Sequence, residues 1–145
     1  MTDVLDITTK AVNDTATLHL KDAAGELMYA DKARTKPVRI ILYGPGSDAY
    51  GVVEARQSAR SVKRMQENDG KITAVPFEER VRETAEDLAT ITVEFENFSY
   101  PPAGDAKGAK LFEALYADQK LGFITRQVTK FVGDWGKFTN GSAAS

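Results

Sequence analysis

The stretch Pro37-Val38-Arg39-Ile40-Ile41-Leu42-Tyr43-Gly44-Pro45-Gly46-Ser47-Asp48 decides how this chain is read. Residues 38–43 are rich in β-branched and aromatic side chains, and Pro37 stands at the first position, where a strand tolerates proline. Residues 37–43 therefore read as a strand. Gly44-Pro45-Gly46 ends it. Ser47 then suits a helix N-cap, and Asp48 falls in the first turn, where the helix dipole favours a negative charge. A strand, a turn and a capped helix in immediate succession point to an α+β fold.

Toward the N-terminus, residues 15–21 alternate with strand period, Leu18 and Leu20 facing one way and Thr17, His19 and Lys21 the other. Asp22-Ala23-Ala24-Gly25 reads as a turn, with an Asx-type start and a glycine able to take positive φ. Residues 26–29 then read as the short return strand, so that residues 15–46 form a small antiparallel β-hairpin region. A sheet this small is not stable alone and needs its apolar face covered. Residues 1–14 are polar with scattered aliphatics and read as a loosely docked arm.

Toward the C-terminus, residues 48–68 have helical periodicity, with Val52, Ala55, Ala59 and Val62 in a narrow stripe and Tyr50, Val53 and Met65 flanking it. Asn68-Asp69-Gly70 is a stop signal. A linker at 72–75 leads to Pro76, which opens a second helix with Glu78 and Glu79 in its first turn. Phe77, Val81, Thr84, Leu88, Ile91 and Phe95 continue one apolar face. Residues 91–96 also alternate with period two, but the unbroken stripe from Phe77 favours helix to Phe95. Asp105 is expected to cap a third helix over residues 106–117, and Asp118 a fourth running to about Trp135. The reading is one helix-dominated α+β domain: a β region at 15–46, four helices at 47–138, and a flexible polar tail at 139–145.

The totals narrow the function classes. With 145 residues and 42% hydrophobic content the chain is about one domain, with a core that is thin or shared. A net charge of −2 gives no bulk electrostatic case for nucleic acid or an anionic membrane. The absence of cysteine removes disulfide and thiolate chemistry and fits a reducing compartment. The acidic start, Met1-Thr2-Asp3-Val4-Leu5-Asp6, lacks a cationic segment before an apolar run, and no apolar stretch approaches the roughly 20 residues that span a bilayer. The expectation is a soluble cytosolic protein.

No residue pattern carries catalysis. Gly44-Pro45-Gly46-Ser47 sits where a phosphate loop would, but it lacks the Gly-Lys-Ser/Thr ending, and Pro45 removes a backbone amide. A capped strand-to-helix turn is the better reading. His19, the lone histidine, falls on the polar side of its strand without a Ser or Cys partner. The acids have no metal-ligand spacing, and neither cofactor nor metal is expected. What stands out instead is apolar and charged surface. Leu111, Phe112, Leu115, Phe123, Ile124, Phe131, Trp135 and Phe138 concentrate aromatic mass near the C-terminus. We expect the two C-terminal helical blocks to be left partly uncovered and completed by partners. Arg56, Arg60, Lys63 and Arg64 make a basic stripe, while the second helix is acidic, with Glu83 and Glu86 among its charges. The basic stripe reads as half of a complementary pair, Arg56, Arg60 and Arg64 against Glu83 and Glu86, within the chain or between subunits in self-association.

In combination these runs resemble a known family. The small β region is followed by Val38-Arg39-Ile40-Ile41-Leu42-Tyr43-Gly44-Pro45-Gly46-Ser47 leading into an Ala/Arg-rich helix. Further on come Phe98-Ser99-Tyr100-Pro101-Pro102-Ala103-Gly104-Asp105 and Leu115-Tyr116-Ala117-Asp118-Gln119-Lys120-Leu121-Gly122-Phe123-Ile124, closed by Val132-Gly133-Asp134-Trp135-Gly136-Lys137-Phe138. Over roughly residues 15–140 the chain resembles the tail assembly chaperones encoded among the tail genes of long-tailed bacteriophages and prophages. The resemblance implies a non-enzymatic, mostly helical homo-oligomer that coats the tape-measure protein while tail-tube subunits are recruited. It implies action in the host cytoplasm and absence from the mature virion, and many members have a longer frameshifted form. Two competing expectations are a permanent minor structural protein of a phage tail or head, and a small nucleotide- or phosphate-binding domain.

Overall fold

A computed structural model describes residues 3–71 and 74–139. Part of the linker read at 72–75, residues 72–73, lies outside the described residues, as does the expected tail beyond Thr139. The architecture is α+β and helix-dominated, with four α-helices and a three-stranded antiparallel sheet among the described residues.

The strands are β1 (Thr15–His19), β2 (Arg39–Tyr43) and β3 (Thr92–Glu96), in spatial order β1-β2-β3. β1 pairs with β2 from Thr15 opposite Tyr43 to His19 opposite Arg39. Period-two alternation does its work here. Ala16, Leu18, Ile40 and Leu42 are buried on one face, and Thr17, His19, Arg39 and Ile41 stand half-buried on the other. The strand read at 37–43 forms over Arg39–Tyr43, but the return strand expected at 26–29 does not form. That segment makes only isolated bridges, Lys21 with Leu27 and Tyr29 with Pro37. Met28 is wedged between strand extensions, its N–H donating to Leu20 and its carbonyl accepting from Val38. The partner of β1 is β2 itself.

Within residues 91–96, Thr92–Glu96 are a strand and Ile91 is the C-cap of the preceding helix, which corrects the helix expected there. The free edge of β2 supplies the reason, because an unpaired edge leaves a row of backbone donors and acceptors unsatisfied. β3 takes that edge, with Ile40 opposite Phe95 and Arg39 opposite Glu96, whose side chains also pair at 2.8 Å. The preceding helix stops at Thr90, and the Thr92 hydroxyl closes it by donating to the Leu88 carbonyl at 2.7 Å. Ile91 and Thr92 are buried as a continuing helix would bury them, so burial alone does not separate the two conformations.

The helices are α1 (Asp48–Glu67), α2 (Phe77–Thr90), α3 (Ala109–Tyr116) and α4 (Gly122–Val132). Ser47 caps α1 by accepting from the Tyr50 N–H at 3.2 Å, as the sequence predicts. Asp69 and Gly70 take positive φ just beyond α1. The two C-terminal helices are shorter than expected. α3 begins after Gly108, whose φ of 61° makes it the N-cap in place of Asp105. Asp118 caps a 3-10 turn at Gln119–Leu121, and Asp134 caps another at Trp135–Phe138. Those two local caps cut into what periodicity reads as one long helix.

One core joins the layers. The apolar sheet face meets Ala85, Leu88 and Ala89 of α2, Phe112, Leu115 and Tyr116 of α3, and Ile124, Val128, Phe131 and Val132 of α4. The final turn folds Phe138 back into this core at 0% exposure, its ring edge-on to Phe131 at 5.4 Å. The small sheet is covered by the chain's own helices.

Candidate functional site

The C-terminal side chains expected to meet a partner are mostly core. Phe112, Leu115, Ile124, Phe131 and Phe138 are buried, and Leu111 and Phe123 are half-buried against them. Trp135 alone of that set is well exposed, at 56%. This corrects the expectation that the two C-terminal blocks are left uncovered. Their apolar sides face the sheet and α2, which demand covering for the same reason.

The charged set resolves within the chain. Arg56, Arg60 and Arg64 recur every four residues on α1, so they share one side of it. Across from them run Asp87, Glu86, Glu83 and Glu79 of α2, met in descending order because the helices are antiparallel. Asp87 is the hub. Its carboxylate accepts from Arg60 at 2.8 Å, Arg56 at 3.1 Å and Gln57 at 3.2 Å, and the residue is only 6% exposed. Glu86 pairs with Arg60 and Arg56 at 3.3 and 3.5 Å, and Glu83 holds Arg64. Burial pulls the Arg60 pKa down, but the hydrogen bond and charge of Asp87, with Glu83 and Glu86, outweigh it and raise the pKa overall. These charges orient α1 on α2 and are spent doing so. Sequence reading places Asp87 only among the acids of the second helix, since an Asp beside four glutamates carries no signal of burial.

With its arginine side committed, α1 turns another face outward. Gly51, Val52, Ala55, Ser58, Ala59, Val62, Met65 and Gln66 are all exposed, and no charge interrupts them. Val52, Val62 and Met65 are 54, 55 and 45% exposed, and Val53 is the only buried residue of the helix. The stripe of small residues visible in the sequence is therefore an outward surface.

A second surface is an open groove of about 430 Å³ where α2, the end of α3 and the start of α4 meet. Phe77, Val81 and Tyr116 give it an apolar floor, and Arg80 and Arg126 stand at its rims. The Arg80 guanidinium lies 5.6 Å over the Phe77 ring. Asp118 also lines it, but its carboxylate accepts from the Tyr100 hydroxyl at 2.8 Å and the Lys120 N–H at 3.0 Å. Sequence reading placed Phe77 and Val81 on a core-facing stripe, and no signal joined Arg80 to Arg126 across distant helices.

The strand-to-helix turn holds no anion cradle. The Phe138 ring lies on Gly44, Val12 and Trp135 flank Gly46, and the Ser47 hydroxyl donates to the Gly44 carbonyl at 2.7 Å. His19 donates from Nε2 to the Met28 carbonyl at 2.8 Å and meets the Tyr29 ring edge-on, which fixes the residue 20–38 connection. Among the described residues, no group of three or more His, Cys, Asp or Glu side chains suits a metal ion. Among the same residues, no helix is long and apolar enough to cross a membrane.

Comparison with protein-family models, curated proteins and solved structures finds no match to the chain.

Proposed function

We propose that this chain is a non-enzymatic assembly chaperone of a phage tail, which self-associates, holds apolar helices of the tape-measure protein and helps recruit tail-tube subunits. The reading rests on the sequence resemblance and on one structural observation, the uncharged outward face of α1. Isolated exposed valines are ordinary, but a charge-free face from Gly51 to Gln66 on an otherwise charged helix is a surface shaped for another helix. Small residues at Ala55, Ser58 and Ala59 permit close backbone approach, while Val52, Val62 and Met65 supply apolar area. Each such side chain contributes about 1.5–3 kcal/mol when fully buried. The client-holding surface is thus α1 in place of the C-terminal aromatics. Action in the host cytoplasm and absence from finished particles belong to the same reading.

Co-expression with the neighbouring tape-measure protein tests it. The wild-type chain is expected to keep that protein soluble and to co-purify with it. Val62→Glu, on an exposed site, is expected to abolish co-purification while circular dichroism stays unchanged. An insoluble tape-measure protein beside the wild type, or full binding by Val62→Glu, overturns the reading. Detection of the chain in purified particles favours a permanent structural part instead.

A further inference from the structure

The N-terminal arm and the α2/α4 groove are complementary surfaces that the monomer leaves apart. In the arm, Val4, Leu5 and Ile7 are 85, 62 and 71% exposed, the most exposed run of large apolar side chains among the described residues. The arm is nevertheless built. Asp6 caps the 3-10 turn Ile7–Lys10, accepting from the Thr8 N–H at 3.1 Å and the Thr8 hydroxyl at 2.7 Å. Its root is pinned, with the Asn13 N–H donating to the Phe138 carbonyl and the Gly44 N–H to the Asp14 carbonyl. Asp3 and Asp6 bracket Val4 and Leu5 and outnumber the one cation of residues 3–10, Lys10, so the arm is both apolar and acidic.

The groove is the converse. Its floor of Phe77, Val81 and Tyr116 is apolar, with Phe77 itself 53% exposed. Its volume of about 430 Å³ lies in the range of roughly 300–1,000 Å³ typical of sites that bury a ligand. Among the described residues, neither Arg80 nor Arg126 has an acidic group within ion-pair distance, whereas Arg56, Arg60 and Arg64 on α1 all do.

We propose that the arm of a second copy of this chain seats in this groove, Leu5 and its aliphatic neighbours on the apolar floor and Asp3 and Asp6 toward Arg80 and Arg126. Arg80 and Arg126 outweigh the one carboxylate in the lining, Asp118, which is already held by Tyr100 and the Lys120 N–H, so charge complementarity commits the groove to an acidic, aliphatic segment, and the arm is such a segment. In the structure no described residue of the arm lines the groove of its own chain, which leaves that groove open to another copy. The arm leaves the body beside the Trp135–Phe138 turn, whereas the groove lies at the Gly122 end of α4, roughly 16 Å away along the helix. The turn at Ile7–Lys10 shortens the arm's reach further. Donor and acceptor are different surfaces, so the contact closes by reciprocal exchange of arms in a two-fold dimer or propagates head-to-tail into a ring or filament. This gives the self-association in the proposed function a surface, and in that respect rests on it. Its test uses the isolated chain, so a failure to bind the tape-measure protein leaves it unaffected.

Sedimentation velocity across micromolar concentrations is expected to show association of the wild type. Leu5→Asp, or Arg80→Glu combined with Arg126→Glu, is expected to move the association midpoint at least roughly tenfold higher in concentration. All these sites are exposed, and circular dichroism verifies the fold. The chain has no cysteine, so Leu5→Cys and Phe77→Cys placed on separate copies report the contact directly. Under mild oxidation the mixture is expected to form a mixed disulfide dimer. A wild type that stays monomeric overturns the proposal. So does absence of the mixed dimer, or an intramolecular disulfide as the main product when both cysteines share one dilute chain.

Discussion

The ring of Phe138 rests directly on the backbone of Gly44. A methyl added at Gly44 would lie within 2.6 Å of ring atoms Cγ and Cε2, so only glycine lets the C-terminal turn close over the end of β2. The two residues are far apart in sequence, and their contact ties the Trp135–Phe138 turn to the strand-helix junction. Gly44→Ala is expected to cost about 1–3 kcal/mol through overpacking, read by urea denaturation. Combining it with Phe138→Leu should recover part of that loss. Strict additivity of the two changes would show that the side chains do not meet.

Phe138 and Trp135 belong to one 3-10 turn and make opposite predictions. Phe138 is fully buried, so Phe138→Ala should cost about 3–5 kcal/mol, as aromatic deletions in cores do. Trp135 is 56% exposed and touches the body near Gly46, so Trp135→Ala should cost about 1 kcal/mol or less. Thermal denaturation of the two variants separates them, and equal losses would refute the difference in packing.

Asp87 predicts a graded response along the α1–α2 contact. Asp87→Ala removes the shared acceptor of Arg56, Arg60 and Gln57 and should cost about 2–3 kcal/mol, somewhat below the 3–5 typical of fully buried pairs. Glu79→Ala touches only the outer contact, 3.9 Å from Arg64 with a carboxylate side chain 45% exposed, and should cost less than about 0.5 kcal/mol. Urea denaturation at low and high salt checks the ranking. Salt should erode the effect of Glu79 and leave most of that of Asp87.

Local signals were legible in the sequence where they alone decide the outcome. Ser47 caps α1, Gly70 ends it, and the alternation through Ile40 and Leu42 sets the buried face of β2. Outcomes set by distant neighbours were not. Residues 91–96 satisfy both periods, and the choice fell to an open edge on β2 that no local window contains. Phe138 and Trp135 look alike in sequence, yet the cap at Asp134 rotates one into the core and leaves the other out. Arg56, Arg60 and Arg64 read equally well as partners for another subunit until α2 lies antiparallel beside them. The groove was invisible for the same reason, since Arg80 and Arg126 meet only through the packing of α2 on α4.

Tyr116 gives the fold an alkaline limit. It is 3% exposed, and its hydroxyl lies 2.8 Å from that of Thr92, which itself donates to the Leu88 carbonyl. Burial pushes the phenol far above its ordinary value near 10, against a smaller opposing effect of the Thr92 hydroxyl. A folded-state pKa raised in this way favours the neutral phenol in the native state. Its contribution to stability is therefore complete below the unfolded value of about 10 and is lost as pH rises above it. Tyr116 should ionise only as the chain unfolds, giving a late step in an ultraviolet tyrosine titration that coincides with loss of helical circular dichroism. Tyr116→Phe should remove that step and shift alkaline unfolding upward, at a cost near neutrality of about 1 kcal/mol for the lost hydrogen bond. A smooth titration of every tyrosine while the helical signal persists would mean that Tyr116 is reached by water in the folded chain.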